Sequence, residues 1–126
     1  MPFAVHIERI PQYVRFNVSG PASLKNYFDL IDMAAKETLV HGDRLAMVDL
    51  RKVVGRLVFT DQIFIGDVVG QKLLHLDRLA SLVPDAPESY NSPKVAVRKG
   101  LNLQSFSDEQ EAIDWLLEGI AGRAGS

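Results

Sequence analysis

Residues 47–66, MVDLRKVVGRLVFTDQIFIG, decide how the chain folds. They begin inside RLAMVDL (44–50), a near-continuous apolar run that suits a strand covered on both faces. The far end changes character, with the polar trio Thr60, Asp61 and Gln62 set between LVF and IFIG. Threonine is a good helix N-cap, and an aspartate beside it complements the positive end of the helix dipole. The pattern predicts a strand to Leu50, a loop over 51–59, and a helix from Thr60 to about His75. A strand–loop–helix unit of this kind places the chain in the α/β class.

Upstream, FAVHIE alternates with Phe3, Val5 and Ile7 on one face, and YVRFNVS repeats the pattern with Val14, Phe16 and Val18. RIPQ turns the chain between them, so the two form an antiparallel pair. Ser23 caps a helix whose apolar positions Leu24, Tyr27, Phe28, Ile31, Ala35 and Leu39 follow the helical period, and Gly42 stops it. Downstream, RLASLVP reads as a short strand ended by Pro84. The stretch 91–102, NSPKVAVRKGLN, alternates like a strand at VAV but carries helix punctuation: Asn91 or Ser92 as cap, Pro93 in the first turn, Gly100 as stop. Parallel pairing of ASLV with LQSF needs a crossover, so 93–100 is expected to be helix. SDEQEAIDWLLEGI then makes a last helix, with Ser107 and Gln110 as a capping box and Ala112, Ile113, Trp115, Leu116 and Ile120 as its buried stripe. The expected fold is a single mixed sheet with an N-terminal antiparallel hairpin followed by βα units. Residues 1–120 form one domain and 121–126 a flexible tail.

Composition supports a self-sufficient domain. Hydrophobic residues make up 47% of the 126 and charged residues 24%, too apolar a mixture for disorder. The net charge of −2 gives no basic field for nucleic acid, and no window is long and apolar enough for stable membrane insertion. With no cysteine, disulfides and thiol chemistry are excluded, in keeping with a cytoplasmic setting. Glu8 and Arg9 stand where a signal peptide would carry its apolar centre, so the N-terminus is expected to be that of the mature protein.

MVDLRKVVGRLVFTDQIFIG, together with the later LNLQSFSDEQEAIDWLLEG, resembles the bacterial SpoIIAA-like family. That family has the STAS-like fold of the sporulation anti-anti-sigma factors and is akin to the lipid-binding CRAL-TRIO domains. The likeness spans nearly the whole chain and implies SpoIIAA-like topology and a regulatory, non-enzymatic role. In anti-anti-sigma factors an Asp-Ser pair opens the corresponding helix, and phosphorylation of the serine releases the partner. Asp61 aligns with that aspartate, but Gln62 takes the place of the serine. The resemblance therefore implies an interaction module without the phosphorylatable serine.

The residues themselves offer several sites. Ligands in open α/β sheets gather at the carboxyl ends of the parallel strands. Asp49 and Asp61 form a candidate carboxylate pair for a hydrolase, without a nucleophile–base set around them. His6, His41 and His75 lie too far apart to suggest metal, and no cofactor is expected. Arg51, Lys52 and Arg56 make a basic patch before a helix start, a candidate anion site. The apolar burst is the strongest signal. Val53, Val54, Leu57, Val58, Ile63, Phe64 and Val68 exceed what one sheet covers, so a contact surface is expected there. Arg51, Arg56, Leu57, Phe59, Thr60, Asp61, Gln62 and Phe64 are its expected residues. The candidate occupants are a protein partner, a second copy of the chain in a homodimer, or an amphipathic small molecule whose anionic head is held by Arg51 or Arg56. Gly66 and Gly70, one turn apart, would let another backbone approach closely.

Overall fold

The structure, a computed structural model, describes residues 1–124, with side chains through Glu118. Strands β1 (Ala4–Ile10) and β2 (Tyr13–Pro21) form an antiparallel hairpin; β3 (Leu45–Val54), β4 (Arg78–Leu82) and β5 (Leu103–Phe106) follow in parallel, and the sheet order is β1-β2-β3-β4-β5. Helices α1 (Leu24–His41), α2 (Phe59–Lys72) and α3 (Ser92–Arg98) make the three crossovers, and α4 (Glu109–Ala124) is the last element among the described residues. The single mixed sheet with βα units is therefore as the sequence predicted, including the helix in the 91–102 segment. The buried-stripe position Ile120 and the expected flexible tail at 121–126 lie outside the residues whose side chains are described.

Strand alternation divides the core in two. Val14, Phe16 and Val18 of β2, Ala46 of β3 and Leu79 of β4 pack against Leu30 and Ala34 of α1, Leu73 just after α2, and Ala96 of α3. On the other face Tyr13, Leu45, Met47, Ala80, Leu82 and Phe106 pack against Ala112 and Leu116 of α4.

Several sequence expectations change in detail. The segment 51–54 is strand: Lys52, Val53 and Val54 pair with Ser19, Gly20 and Pro21 after a register shift in β2, so the expected loop 51–59 shrinks to 55–58. Two β-branched valines beside an available strand edge favour extension over a loop. Gly55 makes the turn with φ 85°, a conformation an L side chain rarely adopts. Secondly, α2 starts at Phe59 with Val58 at the cap position and no side-chain cap, so Thr60 lies inside the helix, exposed and not capping. The first turn is tied down instead by the Gln62 side-chain amide, which donates to the Leu57 carbonyl at 2.8 Å. Asp61 does sit in the first turn. Thirdly, α4 is capped by Asp108, whose carboxylate accepts from the Glu111 backbone N–H at 3.1 Å; Ser107 plays no such part.

Helix α1 has the expected limits, with Ser23 accepting from the Asn26 N–H and Gly42 ending it. Its buried face is rotated from the expected one: Leu30, Ile31, Ala34 and Thr38 are buried, while Leu39 is exposed. Thr38 fits the core because its hydroxyl bonds the Ala34 carbonyl at 2.7 Å and the His75 ring.

Candidate ligand-binding site

A partly open cavity of about 150 Å³ lies between the sheet and helices α1, α2 and α3. Leu30, Ile31, Val48, Leu50, Ile65 and Val69 are among its apolar walls, and Gly55, Arg56 and Leu57 form part of its rim. That volume is about what an apolar cavity needs to hold a benzene-sized body. Leu57, expected on a contact surface, turns inward and lines the cavity.

The cavity owes its closure to the packing of α2 on α3. Gly66 and Gly70 do receive another backbone, and it is that of the chain's own α3. A Cβ on Gly66 would stand 2.4 Å from the Ser92 carbonyl oxygen, and one on Gly70 2.6 Å from the Lys99 Cβ. Gln62 adds a polar clasp, its side-chain oxygen accepting from the Asn91 backbone and side-chain N–H groups at 3.0 Å each. Ser92 donates to the Gln62 carbonyl at 2.6 Å. Gln62, where the anti-anti-sigma pattern has serine, is thus a structural bridge between two helices.

Arg56 closes the mouth. Its guanidinium carbon stands 3.8 Å from the centroid of the Tyr90 ring, and one nitrogen donates to the Ser89 hydroxyl at 2.7 Å. No carboxylate pairs with it among the described residues. A cation over an aromatic face, next to an apolar cavity, keeps its remaining donors for an incoming anion. Tyr27 and Tyr90 both line the same space. Burial pushes the Tyr27 phenol up to about 12, so it stays neutral and a hydrogen-bond donor at physiological pH.

The basic patch expected from Arg51, Lys52 and Arg56 is split. Arg51 follows Asp49 on the α4 face of β3, where its guanidinium binds Asp49 at 2.7 Å and Glu109 at 3.0 Å. Arg15 reaches the same two carboxylates at 2.8 and 2.6 Å. Burial alone would raise the Asp49 pKa, but hydrogen bonds from Arg51 and the charge of Arg15 hold it below the ordinary carboxylate value. The hydrogen bond from Arg15 lowers Glu109 likewise. Asp49 and Asp61 belong to opposite layers, so the candidate carboxylate pair of a hydrolase is not assembled. His41 sits in the last turn of α1 against the Glu37 carbonyl, as its dipole preference suggests, and no metal-holding group of His, Cys, Asp or Glu exists among the described residues.

Outside the cavity mouth the apolar surface persists. Val54 is 71% exposed, Phe59 62% and Phe64 54%, with Val58 and Ile63 also exposed. Phe64 also meets Phe28 of α1 edge-on, with ring centroids 5.6 Å apart. Of the residues singled out in the sequence, Arg56, Leu57 and Gln62 line the cavity, and Phe59 and Phe64 stand exposed outside it. Tyr90, Ser81 and Ser105, not singled out in the sequence, also line it. The single polar residue inside ASLV was the available signal for Ser81.

The comparison of folds agrees with this architecture. The chain is similar to an uncharacterized protein of the DUF3478 family with a SpoIIAA-like fold from Shewanella loihica PV-4, at 22% identity and TM-score 0.56, covering 91% of this chain and 93% of that one. It is similar to an anti-sigma factor antagonist from Mycobacterium paratuberculosis at 13% identity and TM-score 0.53, over 90% and 93% of the two chains. The anti-sigma factor antagonist SpoIIAA, in its unphosphorylated form, aligns at 14% identity and TM-score 0.52, over 88% and 96%. No family model and no curated protein matches the sequence. The chain has the SpoIIAA-like α/β fold, as the resemblance in the sequence implied. No helix among the described residues is long and apolar enough to cross a membrane.

Proposed function

We propose that this chain is a non-enzymatic, cytoplasmic binding protein that holds a small amphipathic anion in the cavity beneath residues 55–57. The observation that carries this reading is the join of an apolar cavity with an arginine that meets no carboxylate among the described residues. The walls would take an aromatic ring or a short acyl chain, and Arg56 the carboxylate or phosphate. Area burial favours the apolar body by roughly 25 cal/mol per Å², and the charge-assisted hydrogen bonds fix its direction. Native mass spectrometry of freshly purified protein tests the proposal. A mass adduct that is lost in Arg56→Gln supports it, and a bare chain that also takes up neither hexanoate nor phenylacetate contradicts it.

A second reading is favoured by the exposed rim of Val54, Val58, Phe59, Ile63 and Phe64. An apolar patch of this kind supports a protein contact, with a regulatory partner or a second copy of the chain. In this reading the ligand state of the cavity, one residue layer beneath, would set the rim's shape. Light scattering of Phe64→Asp separates the possibilities: a fall in mass supports self-association, and an unchanged mass contradicts it.

A further inference from the structure

The floor of the cavity carries two hydroxyls that the fold does not use. Ser81 of β4 and Ser105 of β5 are register partners on adjacent parallel strands, and both line the cavity. Alternation puts them on the same side as Leu79 and Leu103, facing the helices. The Ser105 Oγ is buried with no hydrogen-bond partner. Ser81 is 8% exposed, and its hydroxyl likewise makes no hydrogen bond among the described residues.

Elsewhere in the core, buried polar side chains are satisfied from within. Thr38 bonds the Ala34 carbonyl and Asn26 bonds the Met1 and Pro21 carbonyls. An unpartnered buried hydroxyl is disfavoured, because it has given up water for nothing. Ser105 carries such a group, and the Ser81 hydroxyl on the neighbouring strand lines the same cavity, so the pair makes a polar contact point additional to Arg56 for whatever fills the space. Each hydroxyl has one O–H to donate and lone pairs that accept, so the group that satisfies both capacities is one that itself donates and accepts, as a hydroxyl does.

Resting on the reading of the cavity as a ligand site, we infer that the ligand is a hydroxylated amphipathic anion, its acid at Arg56 and its hydroxyl between Ser81 and Ser105. A plain acyl or aryl acid would leave both serines unpartnered, and a site of this type discriminates against the analogue lacking the hydroxyl.

Titration calorimetry with two probe pairs tests this: 4-hydroxyphenylacetate against phenylacetate, and 6-hydroxyhexanoate against hexanoate. The wild-type chain is expected to bind the hydroxylated member of at least one pair about tenfold more tightly, and Ser81→Ala/Ser105→Ala to lose that preference while still binding the plain member. Arg56→Gln should weaken both members alike. Equal affinity within both pairs would overturn the inference and leave the ligand site intact. A preference that survives in the double variant would overturn the assignment to these serines. Binding of none of the four would remove the site itself and the inference with it. Should the double variant not fold, Ser105→Ala alone serves, with the same outcomes.

Discussion

Arg51 and Arg56 are near neighbours in sequence and end on opposite faces of the sheet with opposite fates. Arg51 joins Arg15, Asp49 and Glu109 in a network in which each guanidinium meets both carboxylates. Arg56 rests on the Tyr90 ring with a neutral serine beside it and an apolar cavity below. The first region spends its charge on holding β2, β3 and α4 together. The second leaves charge available next to space. A list of basic residues does not separate these roles. The partner of each cation does.

The difference can be broken most severely from the closed side. Asp49→Ala leaves Arg15, whose side chain is 13% exposed, and Arg51 to share Glu109 alone, and should cost about 2–3 kcal/mol in urea unfolding, with binding at the cavity unchanged. Next comes the seam that shapes the open side. Gly66→Ala forces α3 away from α2, because the new Cβ would meet the Ser92 carbonyl at 2.4 Å, and a loss of about 1–3 kcal/mol is expected together with weakened ligand uptake. Arg56→Gln should reverse the pattern of Asp49→Ala: stability changes by less than about 1 kcal/mol, since its contacts are exposed, while anion binding falls by about tenfold or more.

The smallest effect is one of pH. Asp49 and Glu109 have folded-state pKa values below their ordinary 3.8 and 4.5. The unfolded chain therefore takes up protons first, and the network's contribution, full above about pH 4.5, is lost as pH falls through the lower folded values. Unfolding midpoints measured from pH 6 down to about pH 3 should show this loss in the wild type. It should be much reduced in Asp49→Asn, where one of the two carboxylates is gone.

The fold was legible because its signals are local. Ser23 and Gly42 bound α1 by cap chemistry, and the alternation in β1 and β2 survives in the register of the hairpin. Helix α3 was decided by topology, since parallel β4 and β5 require a crossover. The site was legible only in part. The apolar burst at 53–64 announced a surface, and Val54, Phe59 and Phe64 are indeed exposed. Leu57 faces inward because a cavity formed by tertiary packing lies beside it, which no local period reports. The same holds for Gln62, whose side chain serves Asn91 rather than solvent, and for Thr60, displaced from the cap because α2 starts at Phe59. Tyr90 and Ser105 join the cavity through tertiary contact alone.

The central claim is that the space under Arg56 binds a small amphipathic anion. Methyl-labelled NMR titration with phenylacetate tests it most directly, through Leu57, Ile65 and Val69 on the cavity side against Leu45, Leu82 and Leu116 on the α4 side. Saturable shifts confined to the first set, and abolished or strongly weakened in Arg56→Gln, are the predicted result. Shifts spread evenly over both sets, or the same titration in the variant, would contradict it.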